Sequence, residues 1–139
     1  MLQARPGKEI VLRVPNAIGT LNTIAKSLAE KGINIVALTA WVEADQVVMR
    51  LLADDVSRAI DTLKVQGLPV REVDVVMMEL PHKPGMLRRI TDHLVEDEID
   101  IHHLYATSVS EQDRCLVVLA TANNDRAIVR LNAAPLTHH

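Results

Sequence analysis

Two short segments of this chain join a turn to residues able to hold a small anion. Asn16-Ala17-Ile18-Gly19-Thr20-Leu21 follows directly on an apolar run, and so does Pro81-His82-Lys83-Pro84-Gly85-Met86-Leu87. Fifteen residues after each glycine a polar residue opens a second apolar run: Asn34 within Gly32-Ile33-Asn34-Ile35, and Asp100 within Glu98-Ile99-Asp100-Ile101. A strand that ends in a Pro/Gly loop and feeds a helix leaves backbone N–H groups unpaired at the positive end of the helix dipole. That arrangement suits a carboxylate or another small anion. Gly19 and Gly85 let a ligand approach the backbone closely, and Asn16 and His82, three residues earlier, offer polar side chains.

The elements that must position these residues occur twice. Gly19 and Gly85, Leu21 and Leu87, Ile24 and Ile90, Leu28 and Leu94, and Ile35 and Ile101 are all 66 residues apart. Such a period is too long for a solenoid repeat and right for a duplicated small domain. In the first copy Ile10, Leu12 and Val14 alternate with Val11 and Arg13, which predicts a strand with one buried face. Leu21, Ile24, Ala25 and Leu28 then form a helical stripe, with Gly32 as its C-terminal cap. Residues 33–42 and 47–53 read as strands joined by a turn at 43–46, and Asp54 or Asp55 caps a second helix carrying Val56, Ile60 and Leu63. Gly67 and Pro69 end that helix, and residues 70–74 form a short fourth strand.

The second copy repeats this with edits. Residues 75–80 form its first strand, Leu87, Ile90 and Leu94 its helix stripe, and 99–109 with 114–121 a hairpin. The hairpin turn is longer by about two residues, because Ala127-Ile128 matches Ala59-Ile60 only at an offset of 68. After a helix with Ala127, Ile128 and Leu131 only residues 132–139 remain, and Pro135 argues against a long strand there. The expected architecture is α+β: two ferredoxin-like βαββαβ units with antiparallel sheets, at 8–74 and 75–137, the second with a short or missing last strand. The edge so left open is expected to be closed by the partner unit, a partner chain or the extreme N-terminus.

Composition narrows the function classes. With 48% apolar and 24% charged residues and a net charge of −3, the 139-residue chain reads as an ordinary soluble protein. It has no basic stripe for nucleic acid, and no apolar run approaches the roughly 18 residues of a membrane span. Nothing at the N-terminus resembles a signal peptide, and the single Cys115 reads as a buried strand residue compatible with a reducing cytoplasm, the expected location. His102 and His103 are neighbours on a strand and point to opposite faces, so no metal site is expected; His138 and His139 read as tail or purification-tag residues. The acidic run Glu96, Asp97, Glu98 and Asp100 reads as a solvated helix end. No phosphate-binding loop or nucleophile elbow occurs, so neither catalysis nor a cofactor is expected. RNA recognition by stacking is excluded by the lack of Phe and by having only Trp41 and Tyr105 as strand aromatics.

At the two turn motifs and the strand openings that follow them, the chain resembles the ACT domain, a regulatory amino-acid-binding module, in tandem over nearly its whole length. That resemblance implies an effector site at the loop before the first helix and the start of the second strand, at an interface between ACT units. Carried over by position, it implicates Asn16, Ala17, Ile18, Gly19, Thr20, Leu21, Asn34 and Ile35 in one unit. In the other it implicates His82, Lys83, Gly85, Met86, Leu87, Asp100 and Ile101. It also implies an amino acid effector, a homodimer, and a regulated enzyme or transcription factor as partner.

The copies differ where a ligand would sit. Ile18 stands where the second copy has Pro84, and Asp100 replaces Asn34, which would repel a ligand carboxylate and favour its ammonium group. Glu98 replaces Gly32, an awkward exchange if that position needs positive φ. The expectation is therefore two unequal sites, with neutral contacts from Asn16 and Asn34 and a second site altered or lost. The rival expectation is an oligomerisation module without a ligand, to which the apolar strands at 33–42 and 116–122 would lend themselves.

Overall fold

The computed structural model describes residues 3–108 and 113–133. Ten elements follow one another: β1 (Gln3–Pro15), α1 (Thr20–Glu30), β2 (Ile35–Glu43), β3 (Gln46–Ala53), α2 (Val56–Val65), β4 (Val70–Pro81), α3 (Met86–Glu96), β5 (Ile101–Ser108), β6 (Arg114–Thr121) and α4 (Asn124–Asn132). The described residues form two compact units, one of residues 8–73 and one joining residues 3–7 to those from 74 onward. Strand order is β2-β3-β1-β4 in the first unit and β1-β4-β6-β5 in the second. The hairpin ladders β2/β3 and β5/β6 are antiparallel, as are β1/β3 and β4/β6.

Each unit buries one apolar face of its strands under its own two helices. In the first, Ile10, Leu12 and Val14 of β1 and Met49 and Leu51 of β3 meet Ile24 and Leu28 of α1 and Ala59, Ile60 and Leu63 of α2. In the second, Val76, Met78 and Leu80 of β4 and Val117 and Leu119 of β6 meet Ile90 and Leu94 of α3 and Ala127 and Leu131 of α4. Each fully buried Leu or Ile contributes about 1.5–3 kcal/mol relative to exposure.

The strands differ from their sequence reading chiefly at two places. The fourth strand of the first copy and the first strand of the second are one continuous β4, and β1 begins six residues earlier than its alternation from Glu9 suggested. Pro6-Gly7 hides this extension, since both residues usually break strands. The β1/β3 ladder starts only at Ile10↔Leu51, so the strand around Pro6 lies outside it. A Cβ at Gly7 would stand 2.3 Å from the Met77 Sδ, so a larger residue there would require the Met77 side chain to move.

That extension answers what closes the second unit. Ala4, 6% exposed, packs with Val76, Met78 and Leu131, so the N-terminal stretch of β1 takes the place of a fourth strand. The tail from 134 onward, with Pro135, His138 and His139, lies outside the described residues.

Duplication extends to details. A register shift interrupts β2 between Ile35 and Ala37 and β5 between Ile101 and His103, again 66 residues apart. Val42↔Val47 and Ser108↔Cys115 are equivalent pairs, displaced by 66 on one strand and 68 on the other, which places the two-residue insertion in the second hairpin. The tight first hairpin turns through Ala44 (φ 50°) and Asp45 (φ 61°), as a type I′ turn requires. The acidic run is not simply solvated, however. Glu96 and Asp97 form ion pairs with Arg130, and Asp97 also lies 3.7 Å from the Arg126 Nε, tying the end of α3 to α4.

Candidate functional site

The four helices begin in two different ways. Asp55 caps α2 by accepting the Arg58 N–H at 3.1 Å, and Asn123 caps α4 by accepting the Arg126 N–H at 3.1 Å. By contrast, α1 and α3 start at Gly19 and Gly85 with no side-chain cap. Both glycines are left-handed, with φ of 88° and 87°, a conformation that costs an L-residue about 1–2 kcal/mol. Among the described residues nothing lies within 4 Å of where a Cβ would stand, so it is the backbone conformation that asks for glycine at both positions.

The bonds around each loop are repeated. Thr20 N–H donates to the Ala17 carbonyl at 3.2 Å and Thr23 N–H to the Gly19 carbonyl at 2.9 Å. Met86 N–H likewise donates to the Lys83 carbonyl at 3.4 Å and Arg89 N–H to the Gly85 carbonyl at 3.1 Å. Between them the first-turn N–H groups of Leu21 and Asn22, and of Leu87 and Arg88, have no acceptor within their helices. Each loop is anchored to its hairpin turn: Asn16 N–H donates to the Asp45 carbonyl and His82 N–H to the Asp113 carbonyl, both at 2.8 Å.

At the first loop these N–H groups border a cavity of about 660 Å³, lined by Asn16, Ala17, Gly19, Thr20, Leu21 and Asn22, by Ala25 of α1, and by Ala40, Trp41, Val42 and Val47 of the hairpin. Five residues expected from the motif therefore come together there. Ile18 projects fully into solvent, and Asn34 and Ile35 do not line the cavity. Asn34 is bound through its backbone instead, its N–H donating to Asp54 Oδ1 at 3.1 Å and its carbonyl accepting the Asp54 N–H at 3.0 Å. Ile35 packs against the core.

The motif did not reveal the apolar wall. Ala25 lies one helical turn after Leu21, and Ala40, Val42 and Val47 share the face of the hairpin that looks toward α1. Ala40 and Val42 belong to the near-continuous apolar run of the edge strand β2, and such a run does not by itself mark which face borders the loop.

The second loop is built differently inside. Met86, at the position of Thr20, is only 5% exposed and belongs to the core with Ile90 and Leu94. Leu87 is exposed like Leu21, His82 and Lys83 are exposed, and Ile101 packs on the core. Asp100 is exposed, with the His102 Nε2 at 3.6 Å, and its carbonyl accepts the Ala122 N–H just as Asn34 serves Asp54. Across the equivalent positions Ala25, Val42 and Val47 become Thr91, Ser108 and Cys115, so the apolar wall is partly lost. No group of three or more His, Cys, Asp or Glu side chains is placed to hold a metal among the described residues, and no described helix is long and apolar enough to cross a membrane.

Fold and loops together define a duplicated ferredoxin-like protein with a glycine-started helix in each copy. The chain belongs to the ACT domain pair family, whose model matches residues 8–134. A solved structure of a protein from Bacteroides thetaiotaomicron has 27% identity over 93% of this chain and 88% of that one, with a TM-score of 0.86. The ligand-free regulatory subunit of aspartate kinase from Thermus thermophilus shares the fold at 15% identity, covering 94% and 95% of the two chains with a TM-score of 0.66. The corresponding subunit from Thermus flavus does so at 14% identity over 95% and 94%, with a TM-score of 0.59. No curated protein sequence matches the chain.

Proposed function

We propose that this protein is a non-catalytic regulator that binds an amino acid or similar small carboxylate at the Gly19 loop and passes its occupancy to a partner protein. The observation that carries the reading is the cavity itself, where an uncapped helix start with free Leu21 and Asn22 N–H groups faces a wall of Leu21, Ala25, Ala40, Val42 and Val47. A carboxylate satisfies the N–H groups and the helix dipole, while an apolar side chain covers the wall. Asn16 and Thr20 supply the neutral oxygens that an ammonium group needs. Among amino acids this favours apolar side chains over charged ones. Asn34, away from the cavity, would contribute only across an interface with another unit.

Membership of the ACT domain pair family and the fold shared with aspartate kinase regulatory subunits support a regulatory role. A thermal-shift screen of the amino acids at millimolar concentration tests it. Ligand at about 100 times its Kd should add about 2.7 kcal/mol of stability, readily seen as a rise in Tm. Asn16→Ala should weaken the effect; no shift with any amino acid would reject the sensor reading.

A second reading, a homodimerising module, has its own observation. Ile18, Leu21, Leu38 and Val42 leave large apolar side chains exposed in the first unit, Ile18 completely. A second copy covering them would close the cavity, so assembly and sensing would reinforce each other. Sedimentation with and without the amino acid separates them: a dimer indifferent to ligand favours the module alone.

A further inference from the structure

A second cavity of the first unit lies on the sheet face turned away from α1 and α2. Residues 10, 12, 14, 49 and 51 face the helices, so Val11, Arg13, Val48 and Arg50 face the other way, joined by Trp41, which pairs with Val48. Together with Pro69, Val70 and Arg71 they line a cleft of about 540 Å³. Its floor is apolar, Val11 and Val48 being buried, and its polar groups are three guanidinium groups.

These cations are not equally satisfied. Arg50 Nη1 lies 2.6 Å from Oε1 of Glu9, whose side chain is wholly buried. The Arg50 Nε is itself buried without a hydrogen-bond partner. Arg13 reaches Gln46 at 3.4 Å and Glu43 at 4.0 Å, both long contacts. Among the described residues the Arg71 side chain has neither a hydrogen bond nor an ion pair. Among the described residues two carboxylates therefore face three guanidinium groups, leaving one positive charge beside an apolar floor. Trp41 is held at the rim by its Nε1, which donates to Glu43 Oε2 at 3.0 Å.

We infer that this cleft is a second ligand site, separate from the Gly19 cavity, that takes a planar organic carboxylate such as an aromatic acid. Guanidinium forks match a carboxylate in plane, and the indole and valine surfaces accept a flat apolar body. The volume is in the usual range for small-molecule sites. A single negative charge balances the cluster. Trp41 belongs to the lining of both cavities, so it can report on either.

The test is calorimetric titration of the full chain with benzoate, with acetate and benzyl alcohol as controls that lack the ring or the charge. Trp41 is the only tryptophan, so its fluorescence gives a second readout. Benzoate, which lacks the ammonium group that Asn16 and Thr20 would hold at the Gly19 loop, should bind at one site per chain, and both controls at least about tenfold more weakly, as expected when a charge-assisted hydrogen bond or the apolar contact is lost. Arg71→Ala, which removes an exposed group without a partner among the described residues, should weaken benzoate about fivefold or more without changing the unfolding midpoint. Thr20→Met, at the other cavity, should leave benzoate binding unchanged. No binding at about 10 mM benzoate, weaker than any specific site would show, would overturn the inference. So would equal affinity in Arg71→Ala, or loss of binding in Thr20→Met. A wild-type dimer that Arg71→Ala reduces to monomer, with no response to benzoate, would assign the cleft to a second copy of the chain and overturn it too.

Discussion

Asn132 holds the backbone of Ala4 from both sides. The Ala4 N–H donates to Asn132 Oδ1 at 2.6 Å, and Asn132 Nδ2 donates back to the Ala4 carbonyl at 3.0 Å. The last turn of α4 thus fastens the strand that completes the second unit, across 128 residues of sequence. Asn132→Ala would leave both backbone groups of a part-buried strand without partners. The expected loss is about 2 kcal/mol, from two unmade hydrogen bonds at about 1 kcal/mol or more each. A urea titration checks it; a change below about 0.5 kcal/mol would mean that water or neighbouring backbone replaces the amide.

Glu98 adopts the left-handed conformation of its counterpart Gly32, with φ of 55° against 69°. The mismatch visible in sequence is thus tolerated, and the strain is retained in the native state. Glu98→Gly should therefore stabilise the protein by about 1 kcal/mol, the left-handed penalty less the extra chain entropy of glycine. Gly32→Glu should destabilise it by a similar amount. Thermal unfolding of both variants gives opposite signs if conformation is the cause, and the same sign if side-chain contacts dominate.

The ion pair between Glu9 and Arg50 gives a third expectation. Glu9 is fully buried and the Arg50 side chain is 21% exposed, so removing the cation strands a carboxylate in a poorly solvated place. Arg50→Met should cost about 3 kcal/mol, and adding Glu9→Gln should recover much of it. Denaturant unfolding of the two single variants and the double variant forms the cycle that separates pairing from packing. Additive single effects would show that the contact is not energetically coupled.

How far the sequence reveals these features depends on whether each is local. The helix stripes of Leu21 to Leu28 and Leu87 to Leu94, the turn glycines and the 66-residue register express local periodicity, and the structure has them where they were expected. The merger of two expected strands into β4, and the use of residues 3–7 by the second unit, depend on pairing between distant segments, and Pro6-Gly7 masks the signal. At the Gly19 loop the polar motif was legible, while Ala25, Ala40, Val42 and Val47 join the cavity only through tertiary packing. The difference between Thr20 and Met86 was written in the chain, but which of them turns inward is decided by the surrounding core.

That difference supplies a direct test of the first site. Met86 occupies in the second unit the position of Thr20 at the cavity, yet it is buried in the core. Thr20→Met places a longer apolar side chain at the mouth of α1, where it either fills the cavity or displaces Leu21. The hydroxyl that now bonds the Ala17 carbonyl at 2.9 Å is lost, at a cost of about 1 kcal/mol for an exposed hydrogen bond. The stabilisation by an amino acid should fall at least about tenfold in apparent affinity, equivalent to about 1.4 kcal/mol. Calorimetry against the best amino acid from the thermal screen reads this directly. Unchanged affinity in Thr20→Met, combined with a loss in His82→Ala, would move the effector to the second loop.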